Sequence, residues 1–157
     1  MNREQITDLA GPESIWWNGN RPTPEDLNRL GDTSMQALLG IAVTEVGDDY
    51  LKARMPVDTR THQPWGRLHG GASIALAETL GSLGAGHTVD REAFVAVGME
   101  INGNHIRPVH SGWVIGTAWP ESRGRTTQIW SIRIADENDK LVCISRFTAA
   151  IIPLDRK

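Results

Sequence analysis

Along this chain, apolar and polar residues alternate in a first region, give way to one long apolar segment, and then alternate again. Alternation over residues 41–46 and 51–55, on either side of the turn signal Gly47-Asp48-Asp49, predicts a β-hairpin. A polar loop over 58–69 follows. Residues 70–86 are then almost uncharged and lack proline, and their apolar or small side chains on every face are typical of a buried helix.

Alternation returns after this helix. Four further strands are predicted, separated by Gly112, Gly124 and a polar turn over 136–139: about 93–106, 112–121, 126–135 and 141–152. The predicted order is therefore a hairpin, one buried helix and an antiparallel meander. A single antiparallel sheet that curls around the helix is the simplest way to bury it, which predicts an α+β fold.

Residues 1–32 are predicted to be an N-terminal extension, and residues 33–157 the main domain. Within the extension, Thr23 can cap a short helix that reaches about Leu30. Trp16 and Trp17 precede it in an irregular segment. We expect them to cover an apolar patch or a subunit contact rather than to line a ligand pocket.

Composition narrows the class of protein. A length of 157 residues suits one domain, and a net charge of −3 argues against a nucleic-acid partner. Cys143 is the only cysteine, so no intrachain disulfide is expected, which fits a reducing compartment. No apolar run is long enough to span a bilayer, and residues 1–5 do not begin a secretory signal, so we expect a cytoplasmic protein with no membrane partner.

Glu78 is the residue of the predicted buried helix that most strongly indicates a functional site. Its neighbours Leu76, Ala77 and Leu80 are apolar, and no basic residue lies three or four positions away. A lone carboxylate in such surroundings costs free energy and has a raised pKa, and carboxylates of this kind cluster at functional sites. The alternative is a structural Glu that binds a backbone group.

His69-Gly70-Gly71 stands where the polar loop becomes the helix. The first amides of a helix have no partner within it and carry the positive end of its dipole, so they can hold a developing oxyanion. Glycine there allows a ligand to approach the backbone closely. Glu78 follows Gly70 by eight residues, or about 12 Å along the axis. If both groups act on one small carbonyl, the site must lie across a dimer interface.

Residues 33–152 resemble the hotdog-fold acyl-CoA thioesterases. The resemblance is strongest to the branch that contains 1,4-dihydroxy-2-naphthoyl-CoA thioesterase and the Glu-type 4-hydroxybenzoyl-CoA thioesterases. The residues that carry it are Met55-Pro56-Val57-Asp58, Thr61-His62-Gln63-Pro64-Trp65-Gly66, Leu68-His69-Gly70-Gly71-Ala72-Ser73, Ala77-Glu78, Gly98-Met99-Glu100-Ile101-Asn102 and Asn104-His105. It implies a hotdog fold, in which one long central helix is wrapped by a curved antiparallel sheet.

The resemblance also implies a catalytic role for five residues. Glu78 would be the nucleophile or general base, and the Gly70 amide would polarise the thioester carbonyl. His69 would position the substrate, Gln63 would contact the thioester or the attacking water, and Ser82, one helical turn after Glu78, would orient the acid or the water. Thr79 is a weaker candidate for that last role.

Binding of the coenzyme A portion is implied for four further residues: Arg107, Arg125, Thr126 and His105. Arginine and hydroxyl groups suit phosphates, although these residues also fit ordinary solvated strand ends. The family resemblance suggests a homotetramer, a dimer of dimers with active sites at the dimer interface. The substrate would be an acyl-CoA with an aromatic acyl group.

No cofactor or metal ion is expected, because hydrolysis by a carboxylate and water needs neither. The chain has no G-x-S-x-G elbow, no dinucleotide or phosphate-loop fingerprint and no zinc-ligand spacing. Two alternatives stay open. One is an acyl-CoA hydratase or dehydratase on the same fold, although the Asp and His motif of such enzymes is missing. The other is a non-catalytic acyl-CoA-binding module, which would not need Glu78.

Overall fold

The computed structural model describes residues 14–154 as a short 3-10 helix at Trp17–Gly19, three α-helices and six strands around one apolar core. In chain order the α-helices and strands are α1 Pro24–Gly31, α2 Met35–Leu38, β1 Ala42–Val46, β2 Leu51–Pro56, α3 Gly70–His87, β3 Phe94–His105, β4 Trp113–Arg123, β5 Thr127–Asp136 and β6 Leu141–Pro153. The predicted hairpin, buried helix and four later strands are all present, with ends shifted by a residue or two.

All neighbouring strands are antiparallel, in the order β1-β2-β4-β5-β6-β3. The sequence-based meander of four consecutive strands is wrong for β3, which pairs with β6 and not with β4. Alternation reports which face of a strand is buried but not which strand lies beside it. The long helix α3 carries the chain across the sheet, so β3 starts at the far edge and β4 returns to pair with β2.

Small residues let α3 lie directly on the inner face of the sheet. A β-carbon added at Gly84 would lie 2.6 Å from Cη2 of the buried Trp130, and one added at Gly116 would lie 2.6 Å from Cδ1 of Leu80. Side chains at either glycine would push the helix and sheet apart, because protein interiors leave no room for such overlap. This close contact explains why a glycine-rich segment forms the central helix of the hotdog fold.

The N-terminal segment packs against the first strand and the central core. Trp16 is buried and its indole N–H donates to the Gly47 carbonyl (2.7 Å). The side chain of Asn28, on α1, bonds both the amide and the carbonyl of Val43. Trp17, in contrast, is partly exposed. None of the helices described between residues 14 and 154 combines the length and apolar character needed to cross a membrane.

Candidate active site

The start of α3 presents an unused backbone amide. His69 caps the helix, since its Nδ1 accepts from the Gly71 amide (2.8 Å), which leaves the proton of the neutral ring on Nε2. The Gly70 N–H, in contrast, has no acceptor within residues 14–154. A free amide at the positive end of a helix of 18 residues is suited to bind a carbonyl oxygen that gains negative charge.

A cavity of about 290 Å³ lies beside this amide, and we call it the helix-start cavity. Its lining residues are Gln63, Arg67, Leu68, Gly70, Ser73, His105, Ile106, Arg107, Pro108 and Val142. Four of the nine candidate residues from the sequence therefore meet here: Gln63, Gly70, His105 and Arg107. Arg67 was missed, because an exposed arginine in a polar loop gives no signal that it faces a site.

Gln63 is held by a tight turn in the loop before α3. Its amide donates to the Arg67 carbonyl (2.8 Å), and its own carbonyl accepts from the Gly66 amide (3.0 Å). Its side-chain Oε1 accepts from the Trp65 amide, which fixes the orientation of the carboxamide. The Nε2 amide group is thereby left to donate to a ligand.

His105, at the end of β3, packs its ring against the start of the helix. A β-carbon added at Gly70 would lie 2.7 Å from His105 Nε2. The ring and the free Gly70 amide are therefore neighbours, and only glycine leaves space for both.

Glu78 occupies the middle of α3, away from the helix-start cavity. One carboxylate oxygen accepts from the Ser82 hydroxyl (3.3 Å), and a β-carbon at Gly98 of β3 would lie 2.6 Å from the same oxygen. Partial burial raises the pKa of Glu78, and the Ser82 hydrogen bond opposes that rise. No cation pairs with Glu78 in the described part of the chain. Thr79 instead donates its hydroxyl to the Ala75 carbonyl (2.8 Å).

Ser82 also lines a second cavity, of about 350 Å³, which we call the helix-end groove. Its lining residues are Leu30, Ser82, Leu83, Gly86, His87, Arg91, Phe94, Val95, Ala96 and Leu154. No residue is shared with the helix-start cavity. Gly70 thus lines one cavity and Ser82, the hydrogen-bond partner of Glu78, lines the other. Gly70 and Glu78 are about 12 Å apart along α3.

The two arginines expected to bind phosphate lie at opposite ends of the sheet. Arg107 donates its amide to the Val142 carbonyl at the start of β6, whereas the Thr126 carbonyl, beside Arg125, accepts from the Ile151 amide near its end. Val142 and Ile151 are nine residue steps apart on β6, which corresponds to roughly 30 Å. A single chain thus brings Arg107, but neither Arg125 nor Thr126, to the helix-start cavity. Across residues 14–154, His, Cys, Asp and Glu side chains form no cluster that could hold a metal ion.

Comparison with known proteins identifies the class of protein. A model of the thioesterase superfamily matches residues 66–143, and the chain belongs to this superfamily of hotdog-fold thioesterases. The protein is accordingly a thioesterase that hydrolyses acyl-CoA thioesters.

Two curated relatives and one solved structure illustrate the similarity. The proofreading thioesterase EntH of Cronobacter sakazakii is 51% identical over 130 residues, 83% of this chain and 94% of EntH. The 1,4-dihydroxy-2-naphthoyl-CoA hydrolase of Escherichia coli is 47% identical over 130 residues, 83% of this chain and 95% of that enzyme. A crystal structure of a mutant of thioesterase PA1618 from Pseudomonas aeruginosa has a TM-score of 0.87 at 45% identity, and the match covers 90% of this chain and all of that one.

Proposed function

We propose that Glu78 of one chain hydrolyses an acyl-CoA thioester whose carbonyl is bound by the Gly70 amide of a partner chain. The observation that supports this proposal concerns two polar groups on α3. The Gly70 N–H has no acceptor and the Glu78 carboxylate has no cation within the described residues, yet they lie too far apart to act together in one chain. A two-fold partner with an opposed helix would join them.

The chemistry requires an ionised Glu78. As general base, the carboxylate takes a proton from water, the hydroxide oxygen attacks the carbonyl carbon, and the C–S bond breaks to release the coenzyme A thiolate, which takes up a proton. As nucleophile, it attacks the same carbon and the C–S bond breaks to release the coenzyme A thiolate. Water then hydrolyses the mixed anhydride to the free acid and the Glu78 carboxylate. Both routes place negative charge on the thioester oxygen, where the Gly70 amide would stabilise it.

The edge of the sheet offers a surface for the partner chain. Within residues 14–154, strand β3 has β6 on one side and no strand on the other, and it exposes the apolar residues Val95, Val97 and Met99. An exposed apolar edge strand is a template for pairing with a second copy. In our proposal the β3 edges pair in a dimer, which brings the opposed α3 helices together. Two such dimers then form the tetramer that the family resemblance implies.

The helix-start cavity suits the coenzyme A portion of the substrate. Arg67 and Arg107 both line it, and guanidinium groups bind phosphate oxygens in pairs. His105 and the Gln63 amide group would contact the pantetheine end and the thioester, with His69 beside them at the helix cap. Arg125 and Thr126 would reach the nucleotide only from another chain of the oligomer.

An aromatic acyl group is our proposed substrate class. The support is the similarity to an Escherichia coli hydrolase named for 1,4-dihydroxy-2-naphthoyl-CoA, which covers 83% of this chain. A panel of benzoyl-, hydroxybenzoyl-, naphthoyl-, phenylacetyl-, butyryl- and decanoyl-CoA, assayed by thiol release, ranks the acyl groups directly. Aromatic acyl-CoAs should give the highest kcat/KM values, and a uniformly higher kcat/KM for aliphatic acyl-CoAs would contradict this part of the proposal.

The Glu78→Gln variant tests the catalytic assignment. The amide keeps the shape of the side chain but is a poor base and a poor nucleophile, so kcat should fall at least ~10²-fold. Coenzyme A should still bind, because Glu78 does not line the helix-start cavity. Near-normal turnover by a folded Glu78→Gln variant would refute the assignment. Turnover-free binding of acyl-CoA by the wild-type chain would instead favour a binding module.

A further inference from the structure

We propose that the helix-end groove holds the distal part of the acyl group and that Gly86 determines how long an acyl group fits. This inference rests on the function proposed above and adds a substrate class to it, namely extended medium-chain acyl-CoAs. The groove is walled mainly by apolar side chains, among them Leu30 of α1, Leu83 of α3 and Leu154 after β6. Such walls suit a hydrocarbon chain. His87 and Arg91 are the polar side chains at the same groove besides Ser82.

The groove lies next to the hydrogen-bond partner of the proposed catalytic carboxylate. Ser82 lines it and also donates to Glu78, so the two features touch through one hydrogen bond of 3.3 Å. On β3, Gly98 lies against the Glu78 carboxylate, and Ala96, two residues earlier on the same face of the strand, lines the groove. The groove thus lies between α3 and β3, one helical turn beyond Glu78. Because coenzyme A would occupy the partner's helix-start cavity, only the acyl group is left to enter it.

Gly86 is a glycine that packing does not explain. A β-carbon added at Gly84 would collide with Trp130, but one added at Gly86 would meet no atom of residues 14–154 within 4 Å. Its backbone is not in the left-handed region that favours glycine, since it lies within α3. Glycine in a helix is destabilising relative to alanine, so Gly86 lowers the stability of α3 although packing does not require a glycine there. An open groove supplies the need, because any side chain there would project into it.

The distance from Glu78 to Gly86 sets the length of acyl group that fits. Eight residues of helix separate them, or about 12 Å. An extended chain of single bonds advances roughly 1.2 Å per bond, since three backbone bonds of a peptide span about 3.6 Å. A linear acyl group of about ten carbons therefore reaches Gly86. A benzoyl group, with its single ring, ends beside Ser82 and Ala96.

The Gly86→Leu variant tests this assignment through the ratio of two substrates. The added side chain fills the far end of the groove, so kcat/KM for decanoyl-CoA should fall at least about tenfold more than kcat/KM for butyryl-CoA. Leu30→Ala, which removes part of the apolar wall of the groove, should also lower the ratio of kcat/KM for decanoyl-CoA to kcat/KM for butyryl-CoA. Leu38→Ala is the matched control, because Leu38 is an exposed leucine of α2 that does not line the groove. It should leave the ratio unchanged.

The possible outcomes distinguish a failure of the groove assignment from a failure of the proposed thioesterase function. Equal loss for decanoyl- and butyryl-CoA in a Gly86→Leu protein that melts like wild type would overturn the groove assignment and leave the thioesterase function standing. A wild-type enzyme that hydrolyses butyryl-CoA but not decanoyl-CoA would also overturn it. Absence of thiol release from every acyl-CoA tested would overturn the proposed function itself. If Gly86→Leu does not fold, the comparison of Leu30→Ala with Leu38→Ala decides the question.

Discussion

Two glycines of α3, separated by one residue, should respond oppositely to the same substitution. Gly84→Ala places a β-carbon 2.6 Å from both Cη2 and Cζ3 of Trp130, a fully buried ring that has no free space to move into. Such overpacking typically costs about 1–3 kcal/mol. Gly86→Ala places the same methyl group where no atom of the described part of the chain lies within 4 Å. There only the gain in helix propensity remains, roughly 0.5–1 kcal/mol.

The difference between the two variants isolates the contact with Trp130. Helix propensity contributes similarly to both, so it largely cancels and leaves the overpacking cost of about 2 kcal/mol. For a chain of this size that corresponds to melting temperatures roughly 4–8 °C apart, with Gly84→Ala below wild type and Gly86→Ala at or above it. Thermal unfolding followed by circular dichroism at one fixed protein concentration measures this, because association would otherwise shift the midpoints. Equal melting temperatures for both variants would refute the proposed close packing of α3 on β5.

Two further variants test the chemistry of the site. Ser82→Ala removes the hydrogen bond that opposes the burial-induced rise in the pKa of Glu78. Since only the ionised carboxylate is active, the acid limb of the pH–kcat/KM profile should move to higher pH. An acid limb at unchanged or lower pH would contradict this role of Ser82. Arg107→Ala should raise KM for acyl-CoA with much less effect on kcat, whereas a short pantetheine thioester without the nucleotide should be unaffected. Arg133→Ala, which changes an exposed arginine outside the helix-start cavity, is the matched control, and an equal loss with the pantetheine thioester would argue against phosphate binding.

Much of this fold is visible in the sequence because its hydrophobic spacing is regular. Alternation in Val114, Gly116 and Ala118 predicts a strand with one buried face, and in the structure Val114 and Ala118 are fully buried. The partner of β3 could not be predicted in this way. Its pairing with β6 is a long-range choice set by how α3 crosses the sheet, and neither strand's alternation encodes it.

The residues of the candidate site that could be predicted are those whose polar groups do not suit their expected surroundings. Glu78 among apolar neighbours and Gly70 at a helix start each stand out from the sequence alone. Arg67 and Gly86 do not, because an arginine in a loop and a glycine among other glycines have ordinary explanations. Only the structure reveals that Arg67 lines the same cavity as Gly70 and that Gly86 has empty space beside it.

Subunit mixing tests the central claim, a site shared between two chains, most directly. Gln63→Ala and Glu78→Gln damage different halves of the proposed composite site, so each homo-oligomer should be inactive. A mixed dimer contains one site with both wild-type groups. Refolding the two variants together at equal amounts should therefore restore thiol release to about a quarter of the wild-type specific activity, since half of the dimers are mixed and half of their sites are intact. Activity no higher than the average of the separate variants, in mixtures shown to contain hybrid dimers, would contradict the shared site.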